Sequence, residues 1–227
     1  MYKKYFFIFF SLFCCQQSYA GGVSLGATRL VYPTSKDQVT LKIYNTDEKG
    51  NYLVQSWISD ENNKKIKDFI ITPPLFVIKS GSDNLLKVVF TGDKKSLPKD
   101  REKLFFLNAK VIPSLSEEER KADNSLLIST TTRIKVFIRP DVIKEDPIES
   151  YKKLICSLDS GRIKVTNPSP FYINLVSLSI NGKVISDAET IAPMSSVYLK
   201  NSEKVSFLSF SFINDYGVQI KDRQCHL

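Results

Sequence analysis

Short stretches in which apolar and polar residues alternate run through most of this chain, and they restrict it to a fold built from β-strands. The alternation is clearest in residues 39–43, 85–90, 104–112 and 134–138. Successive side chains of a strand point to opposite faces, so a period of two gathers the apolar residues on one buried face. Helical periodicity is nearly absent. The pattern therefore predicts an all-β fold.

Turn-forming residues separate these stretches at short intervals. Clusters of Asp, Ser, Asn, Lys and Gly occur at residues 47–50, 80–83, 92–93, 159–161 and 181–182. Asn181 and Gly182 stand between two apolar stretches, as expected for the two-residue turn of a β-hairpin. Many short strands joined by frequent turns are typical of β-sandwiches.

The strand pattern is interrupted near the middle of the chain. Pro140 and Pro147 lie among charged residues, and a new series of strands begins at Leu154. A break of this composition is typical of a linker between domains. We expect one domain at residues 21–143 and a second at residues 147–227.

Residues 1–20 have the anatomy of a secretory signal peptide. Two lysines precede an apolar run at residues 5–13, which is too short to span a bilayer, and small residues stand at positions 18 and 20. The mature chain is expected to begin at Gly21 and to be exported. No later segment is apolar enough to cross a membrane, so membrane insertion is not expected.

The charge is basic but scattered. The chain has 32 Lys and Arg residues against 24 Asp and Glu residues, a formal net charge of +8. Its densest basic spots are Lys64, Lys65 and Lys67 and the pair Lys94 and Lys95, and acidic residues lie near them. This distribution indicates a solvated surface, and export makes nucleic acid an unexpected partner.

Two cysteines remain after the signal peptide is removed. Cys14 and Cys15 leave with it, whereas Cys156 and Cys225 stay in the mature chain. An even number of cysteines in an oxidising compartment predicts a disulfide bond. It closes a loop of roughly 70 residues, which stabilises the fold by about 4 kcal/mol in the chain-entropy model.

The sequence contains few of the residues and motifs that carry catalysis in enzymes. The single histidine, His226, is the penultimate residue, and chain ends are seldom preorganised. No metal-ligand spacing, glycine-rich phosphate loop or GxSxG motif occurs in the sequence. We therefore expect no enzyme, no metal and no cofactor. A binding protein and a structural surface protein remain as interpretations.

Three segments carry a resemblance that extends over nearly the whole mature chain. They are LPKDREKLFFLNAKVIP at residues 97–113, RIKVFIRP at residues 133–140 and FINDYG at residues 212–217. Together they resemble the PapD-like family of periplasmic pilus-assembly chaperones. Lys103 and Ala109 depart from the pattern of that family. The short connection from Pro113 to Leu126 resembles its short-loop branch, which is usually tied to rod-like fimbriae.

The resemblance implies a fold and a function. The expected fold is two immunoglobulin-like β-sandwich domains set at an angle, with an interdomain cleft. The expected function is a periplasmic chaperone that stabilises fimbrial (pilin) subunits and delivers them to an outer-membrane usher. A secreted two-domain adhesin built from the same sandwiches is the alternative, because a fold alone does not dictate function.

The family resemblance also implies a role for two cations. By this resemblance Arg29 and Lys135 meet in the interdomain cleft and bind the C-terminal carboxylate of a subunit. Arginine can hold a carboxylate through two parallel hydrogen bonds, and lysine adds a compact positive charge. For an arbitrary β-protein, two exposed strand residues are the simpler interpretation. An adhesin has no need of such a pair.

A donor strand is implied as well. By resemblance, the strand from Leu126 to Phe137 completes a subunit that lacks one strand, with Leu126, Ile128 and Thr130 entering its groove. Thr130 stands where a large aliphatic residue is usual, so either the subunit pocket is shallow or polar there or the register differs. The sequence also allows Leu126 and Ile128 to fill the protein's own core, and it leaves open whether the free protein self-associates to cover them.

Three charged residues from separate motifs form the last predicted group. By resemblance Glu102, Arg139 and Asp215 meet at the domain interface as a salt-bridge cluster that fixes the angle between the domains. Exposed ion pairs contribute only about 0–1 kcal/mol, so the implied role is orientation.

Overall fold

The computed structural model describes residues 21–115, 126–185, 189–199 and 206–226. The predicted signal peptide at residues 1–20 lies outside the described residues, as does most of the connection before the predicted donor segment. Within the described ranges, no helix is long and apolar enough to cross a bilayer.

The described residues form mostly strands, as the alternation predicts. The strands are β1 (Val23–Leu25), β2 (Arg29–Pro33), β3 (Val39–Asn45), β4 (Tyr52–Ser59), β5 (Phe69–Thr72), β6 (Leu75–Ile78), β7 (Asp83–Phe90), β8 (Lys103–Pro113), β9 (Thr130–Arg139), β10 (Ile155–Asp159), β11 (Arg162–Asn167), β12 (Ile173–Ile180), β13 (Lys183–Val184), β14 (Glu189–Ile191), β15 (Ser195–Leu199), β16 (Phe207–Ile213) and β17 (Gln219–His226). A 3₁₀ turn at Lys94–Ser96 and a short helix α1 (Pro147–Tyr151) complete the described elements.

The first sandwich packs a four-stranded sheet on a five-stranded one. The strand orders are β1-β3-β7-β5 and β2-β9-β8-β4-β6. Every pair in them is antiparallel except β2 and β9, which run parallel. Alternate residues of both sheets, such as Ile43, Leu86 and Val136, are fully buried between them. The Thr72–Pro73 bond in the bend after β5 is cis.

The second sandwich contains the remaining strands. Its sheets have the orders β10-β11-β15 and β13-β12-β16-β17, and β14 also pairs with β12. A separate core of Ile163, Val165, Leu175 and Phe212 lies between them. Ile180 pairs with Lys183 across Asn181 and Gly182, both with positive φ, so the predicted two-residue hairpin is confirmed.

Helix α1 was not predicted. It follows the strands of the first sandwich and precedes those of the second. The Asp146 carboxylate accepts a hydrogen bond from the amide of Ile148 at 2.8 Å, and Pro147 occupies the first turn. Both features are favourable at a helix N-terminus. Five residues are too few for a periodic pattern, so the sequence shows only an Asp-Pro pair, which we interpreted as a linker.

Strand β9 presents its two faces to different parts of the molecule. Ile134, Val136 and Ile138 point into the core of the first sandwich. The alternate residues Lys135 and Arg139 point to the opposite side, where they contact residues of the second sandwich. The period of two thus gives this strand one face in the core of the first sandwich and one face that contacts the second sandwich.

Candidate functional site

Arg29 and Lys135 lie side by side on neighbouring strands. Arg29 is the first residue of β2, and its register partner on β9 is Lys135. Side chains at paired positions of neighbouring strands share one face of the sheet. The parallel pairing therefore places two cations next to each other, facing the second sandwich.

The Arg29 guanidinium is held by the second sandwich without being neutralised. Its Nη1 donates to the backbone carbonyl of Ile213 at 3.0 Å. Its Nε is buried and has no hydrogen-bond partner, and the residue as a whole is only 9% exposed. Burial lowers the pKa of Arg29, and the nearby acidic groups Tyr151 and Asp215 offset part of this effect. A buried donor without a partner is unfavourable, so the position of this guanidinium has a free-energy cost.

The Lys135 ammonium crosses to the second sandwich in the same way. Its Nζ donates to the Thr190 hydroxyl at 2.6 Å and to the side-chain oxygen of Asn174. Burial, and secondarily the positive charge of Arg29, lowers the pKa of Lys135 to about 8. Both influences disfavour the charged form. The lysine is therefore held by uncharged oxygens beside another cation.

The two cations lie together as a candidate anion site. Among the described residues, no carboxylate forms an ion pair with Arg29 or Lys135. A carboxylate beside both groups would pair with two charges and relieve the repulsion between them. Within the same ranges no group of acidic, cysteine or histidine side chains is arranged to hold a metal ion.

Glu102, Arg139 and Asp215 meet between the sandwiches. Arg139 donates from Nη1 and Nη2 to the two carboxylate oxygens of Asp215, at 2.7 and 2.9 Å. Its Nε donates to Glu102 at 2.7 Å, and its guanidinium lies over the ring of Phe171. Bidentate pairing of this kind fixes orientation as well as distance. Glu102 and Arg139 belong to the first sandwich and Asp215 to the second, so the cluster links the two.

Glu102 is the most deeply buried member of the cluster. Its side chain is 1% exposed, and its second oxygen accepts from the amide of Tyr172 in the second sandwich at 2.8 Å. Burial raises the pKa of Glu102 to about 7, although Arg139 and the Tyr172 amide favour its charged form. The pKa of Arg139 is raised, because its hydrogen bonds and charge pairing with the two carboxylates outweigh its own burial. The network therefore connects the two sandwiches through charged side chains and one backbone amide.

The predicted donor residues are exposed. Leu126 and Ile128 are 85% and 64% exposed, and Thr130 is exposed at the start of β9. They do not fill the protein's own core in this structure. Leu127, between them, is less exposed at 47%. A run of exposed large apolar residues is a feature of interaction sites.

The start of the donor strand is corrected by the structure. The sequence places the strand from Leu126 to Phe137, but β9 begins at Thr130 and residues 126–129 have no regular secondary structure. Val111 pairs with Thr130, so a longer ladder would set Pro113 opposite Ile128. Proline has no amide hydrogen to donate. The ladder with β8 therefore ends at Thr130, and the backbone groups of Leu126 and Ile128 lie outside it.

Cys156 and Cys225 form the disulfide bond that the sequence predicts. It joins β10 to β17, with the two Cα atoms 5.8 Å apart, inside the usual range. The two cysteines lie in the two different sheets of the second sandwich. The bond therefore has a structural position, away from the paired cations.

The residues that hold the two cations in place could not be predicted from the sequence. Asn174 is a polar residue in the otherwise apolar start of β12, and it is 5% exposed. That break in the apolar pattern is the one signal that marks it. Thr190 and the carbonyl of Ile213 give no signal, because their role depends on a contact between distant parts of the chain.

Two family models match the chain in succession. The model described as "Pili and flagellar-assembly chaperone, PapD N-terminal domain" matches residues 22–144. The model described as "Pili assembly chaperone PapD, C-terminal domain" matches residues 149–224. Together they cover most of the chain.

Curated proteins and solved structures give similar matches. "Probable fimbrial chaperone protein ElfD" of Escherichia coli K12 is 39% identical, with 94% of this chain and 92% of that protein covered. "Chaperone protein FimC" of Escherichia coli O6:H1 is 36% identical, with coverage of 86% and 80%. The E. coli chaperone DraB matches with a TM-score of 0.75 at 34% identity, with coverage of 91% and 96%. The structure of the Salmonella enterica SafA pilin in complex with the SafB chaperone matches with a TM-score of 0.81 at 29% identity, with coverage of 92% and 98%.

Proposed function

The chain belongs to the PapD family of pili-assembly chaperones, and we propose from this that it binds fimbrial subunits in the periplasm and keeps them folded until they are assembled. The fold and its relatives agree with this function. The structural neighbour SafB is itself seen in complex with a pilin. The chemistry proposed for this chain is binding rather than catalysis.

The observation that carries the proposal is the cation pair. Arg29 and Lys135 are neighbours between the sandwiches, and the described residues supply them with no carboxylate partner. The C-terminal carboxylate of a subunit is a suitable ligand, because it provides two oxygen acceptors and one negative charge. Binding at a chain terminus also sets the register of every residue upstream of it.

The exposed segment before β9 supplies the second part of the proposal. A subunit that lacks one strand has unpaired backbone edges and an apolar groove, which promote aggregation. Leu126 and Ile128 can fill alternate pockets of that groove while the backbone pairs with the subunit. From Thr130 to Lys135 the chain rises roughly 16 Å as a strand. A carboxylate bound at Lys135 therefore aligns the groove with the donor residues.

The salt-bridge cluster has an orienting role in this proposal. Arg139 follows Lys135 on β9, and it is held by carboxylates from both sandwiches. Its contacts fix where the second sandwich lies relative to the cation pair. Release of the subunit to an outer-membrane usher is part of the same proposed function. The chaperone keeps the bound subunit folded until that step.

Co-expression with a fimbrial subunit encoded beside this protein tests the proposal. The chain with its signal peptide and the subunit are produced together, and soluble subunit is quantified in periplasmic extracts. We expect the subunit to accumulate only when the chaperone is present and to copurify with it in a one-to-one ratio. If every neighbouring subunit is equally soluble without the chaperone, the proposal fails.

A further inference from the structure

We infer that Asn174 and Thr190, two uncharged residues of the second sandwich, position the Lys135 ammonium for an anionic ligand; this inference rests on the function proposed above. Asn174 lies on β12 and Thr190 on β14, and these two strands pair directly at these two residues. Their oxygens therefore approach Lys135 from adjacent positions of one sheet.

The number of donors on the lysine supports this role. An ammonium group has three N–H donors. Two of them are taken by Asn174 and Thr190, and the Thr190 hydroxyl also donates to the Asn174 oxygen at 3.3 Å. Among the described residues, no other acceptor of Lys135 is recorded. One donor is left for a ligand, and its direction is fixed by the other two.

Both side-chain acceptors of Lys135 are uncharged. Amide and hydroxyl oxygens orient an ammonium but leave its net charge in place, whereas a carboxylate at the same position would neutralise it. Arg29 likewise donates to an uncharged acceptor of the second sandwich, the carbonyl of Ile213. Both cations thus keep their charge for the ligand while their geometry is set in advance, which limits the loss of side-chain entropy on binding.

This arrangement makes the anion site a product of both sandwiches. The first sandwich supplies the two cations, on β2 and β9. The second sandwich supplies the oxygen acceptors that orient them. The charged group that faces Lys135 is Arg29 on β2. Asn174 on β12 and Thr190 on β14 also face Lys135. Its register partner on β8 is the uncharged Phe106. A change in how the sandwiches dock therefore alters the affinity of the site.

Substitutions at the two positions test the inference on the full mature chain. The probe is a peptide with the C-terminal sequence of the co-encoded subunit, prepared with a free carboxylate and with a carboxamide. We expect the wild-type chain to prefer the carboxylate form. Thr190→Val should weaken carboxylate binding about five- to tenfold and leave carboxamide binding unchanged, since it removes one acceptor without changing shape. Thr190→Ser should restore binding.

Asn174→Asp is the sharper variant, because it keeps the shape of the side chain and adds a competing charge. We expect it to weaken carboxylate binding about tenfold at pH 7. It should also raise the pH above which binding declines, because a carboxylate stabilises the charged lysine. Thr190→Val should lower that pH. A merely structural role predicts neither shift.

Controls separate this inference from the proposed function. Thr166→Val removes a comparable hydroxyl of the second sandwich, which contacts Ser196 at 2.8 Å, and it should bind both peptides like the wild type. In a Lys135→Met background, Thr190→Val should have no further effect. If wild type does not distinguish the two peptides, the carboxylate function and this inference both fail. If wild type does distinguish them, and Thr190→Val and Asn174→Asp bind as wild type does, this inference alone is overturned.

Discussion

At the scale of single residues, the site holds two like charges together in a partly buried position. Arg29 and Lys135 are register partners, and burial lowers the pKa of each. In the free protein this arrangement opposes folding, because desolvation and repulsion both disfavour the charged forms. Unfavourable charge placement of this kind is common at functional sites.

Replacement of Lys135 by methionine should therefore separate stability from binding. We expect Lys135→Met to be at least as stable as the wild type towards urea, because it removes a desolvated cation beside Arg29 and keeps the length of the side chain. It should lose subunit capture in the periplasm. Lys87→Met, on the exposed face of β7, serves as the control and should capture subunits normally. Normal capture by Lys135→Met would refute the carboxylate anchor.

The lowered pKa of Lys135 gives a pH dependence with a defined sign. In the folded chain the pKa is about 8, against an ordinary value of 10.5. Between these values the unfolded chain binds more protons than the folded one, so the contribution of this group to stability rises with pH. Binding of the carboxylate peptide should instead weaken as the pH rises through about 8, because the neutral amine cannot pair with it. Titration by fluorescence anisotropy from pH 6 to pH 9 measures this, and a flat profile contradicts it.

At the scale of elements, the parts of the fold that follow local patterns could be predicted, and the rest could not. Alternation predicts β3, β7, β8 and β9, and the Asn-Gly pair predicts a hairpin. The predicted start of β9 was wrong, because it depends on where the pairing with β8 ends, and that pairing ends at Thr130, opposite Val111 and two positions before Pro113. The acceptors of Lys135 were missed for the same reason, since they come from strands that follow it by about 40 and 55 positions in the sequence.

The donor segment gives a prediction that distinguishes its two faces. Ile128→Ser should abolish stabilisation of the subunit and leave the stability of the free chain within about 0.5 kcal/mol, because the side chain is 64% exposed. Leu127→Ser removes a comparable apolar group on the alternate face and should reduce subunit yield much less. Periplasmic yield and thermal unfolding measure the two effects. Equal loss in both variants would contradict the assignment of the donor face.

In the molecule as a whole, the two sandwiches have separate hydrophobic cores and are joined by a polar network and by an aromatic contact between Phe137 and Tyr172. In the network, Arg139 connects carboxylates on both sides. The same docking brings the oxygens of the second sandwich to the cations of the first. The family resemblance indicated which charged residues belong to this network, but the distances within it depend on how complete domains pack.

Removal of Arg139 should loosen this docking. Arg139→Ala leaves the buried Glu102 carboxylate without its partner, which destabilises the fold by about 3 kcal/mol or more. We expect a broader distribution of shapes in small-angle X-ray scattering and weaker subunit binding. Arg101→Ala, which removes an exposed pair with Asp100, is the control and should change stability by about 0–1 kcal/mol. An unchanged scattering profile for Arg139→Ala would show that the network does not hold the domains.

In the function proposed here, a subunit is held by its C-terminal carboxylate at Arg29 and Lys135. The most direct test is native mass spectrometry of periplasmic extracts in which the chaperone is produced with a subunit in its natural form, or with two glycines added after its last residue. We expect a one-to-one complex with the natural subunit. We expect a strongly reduced complex with the extended one, because the carboxylate then lies out of register with the donor residues. Equal amounts of both complexes would contradict the carboxylate anchor.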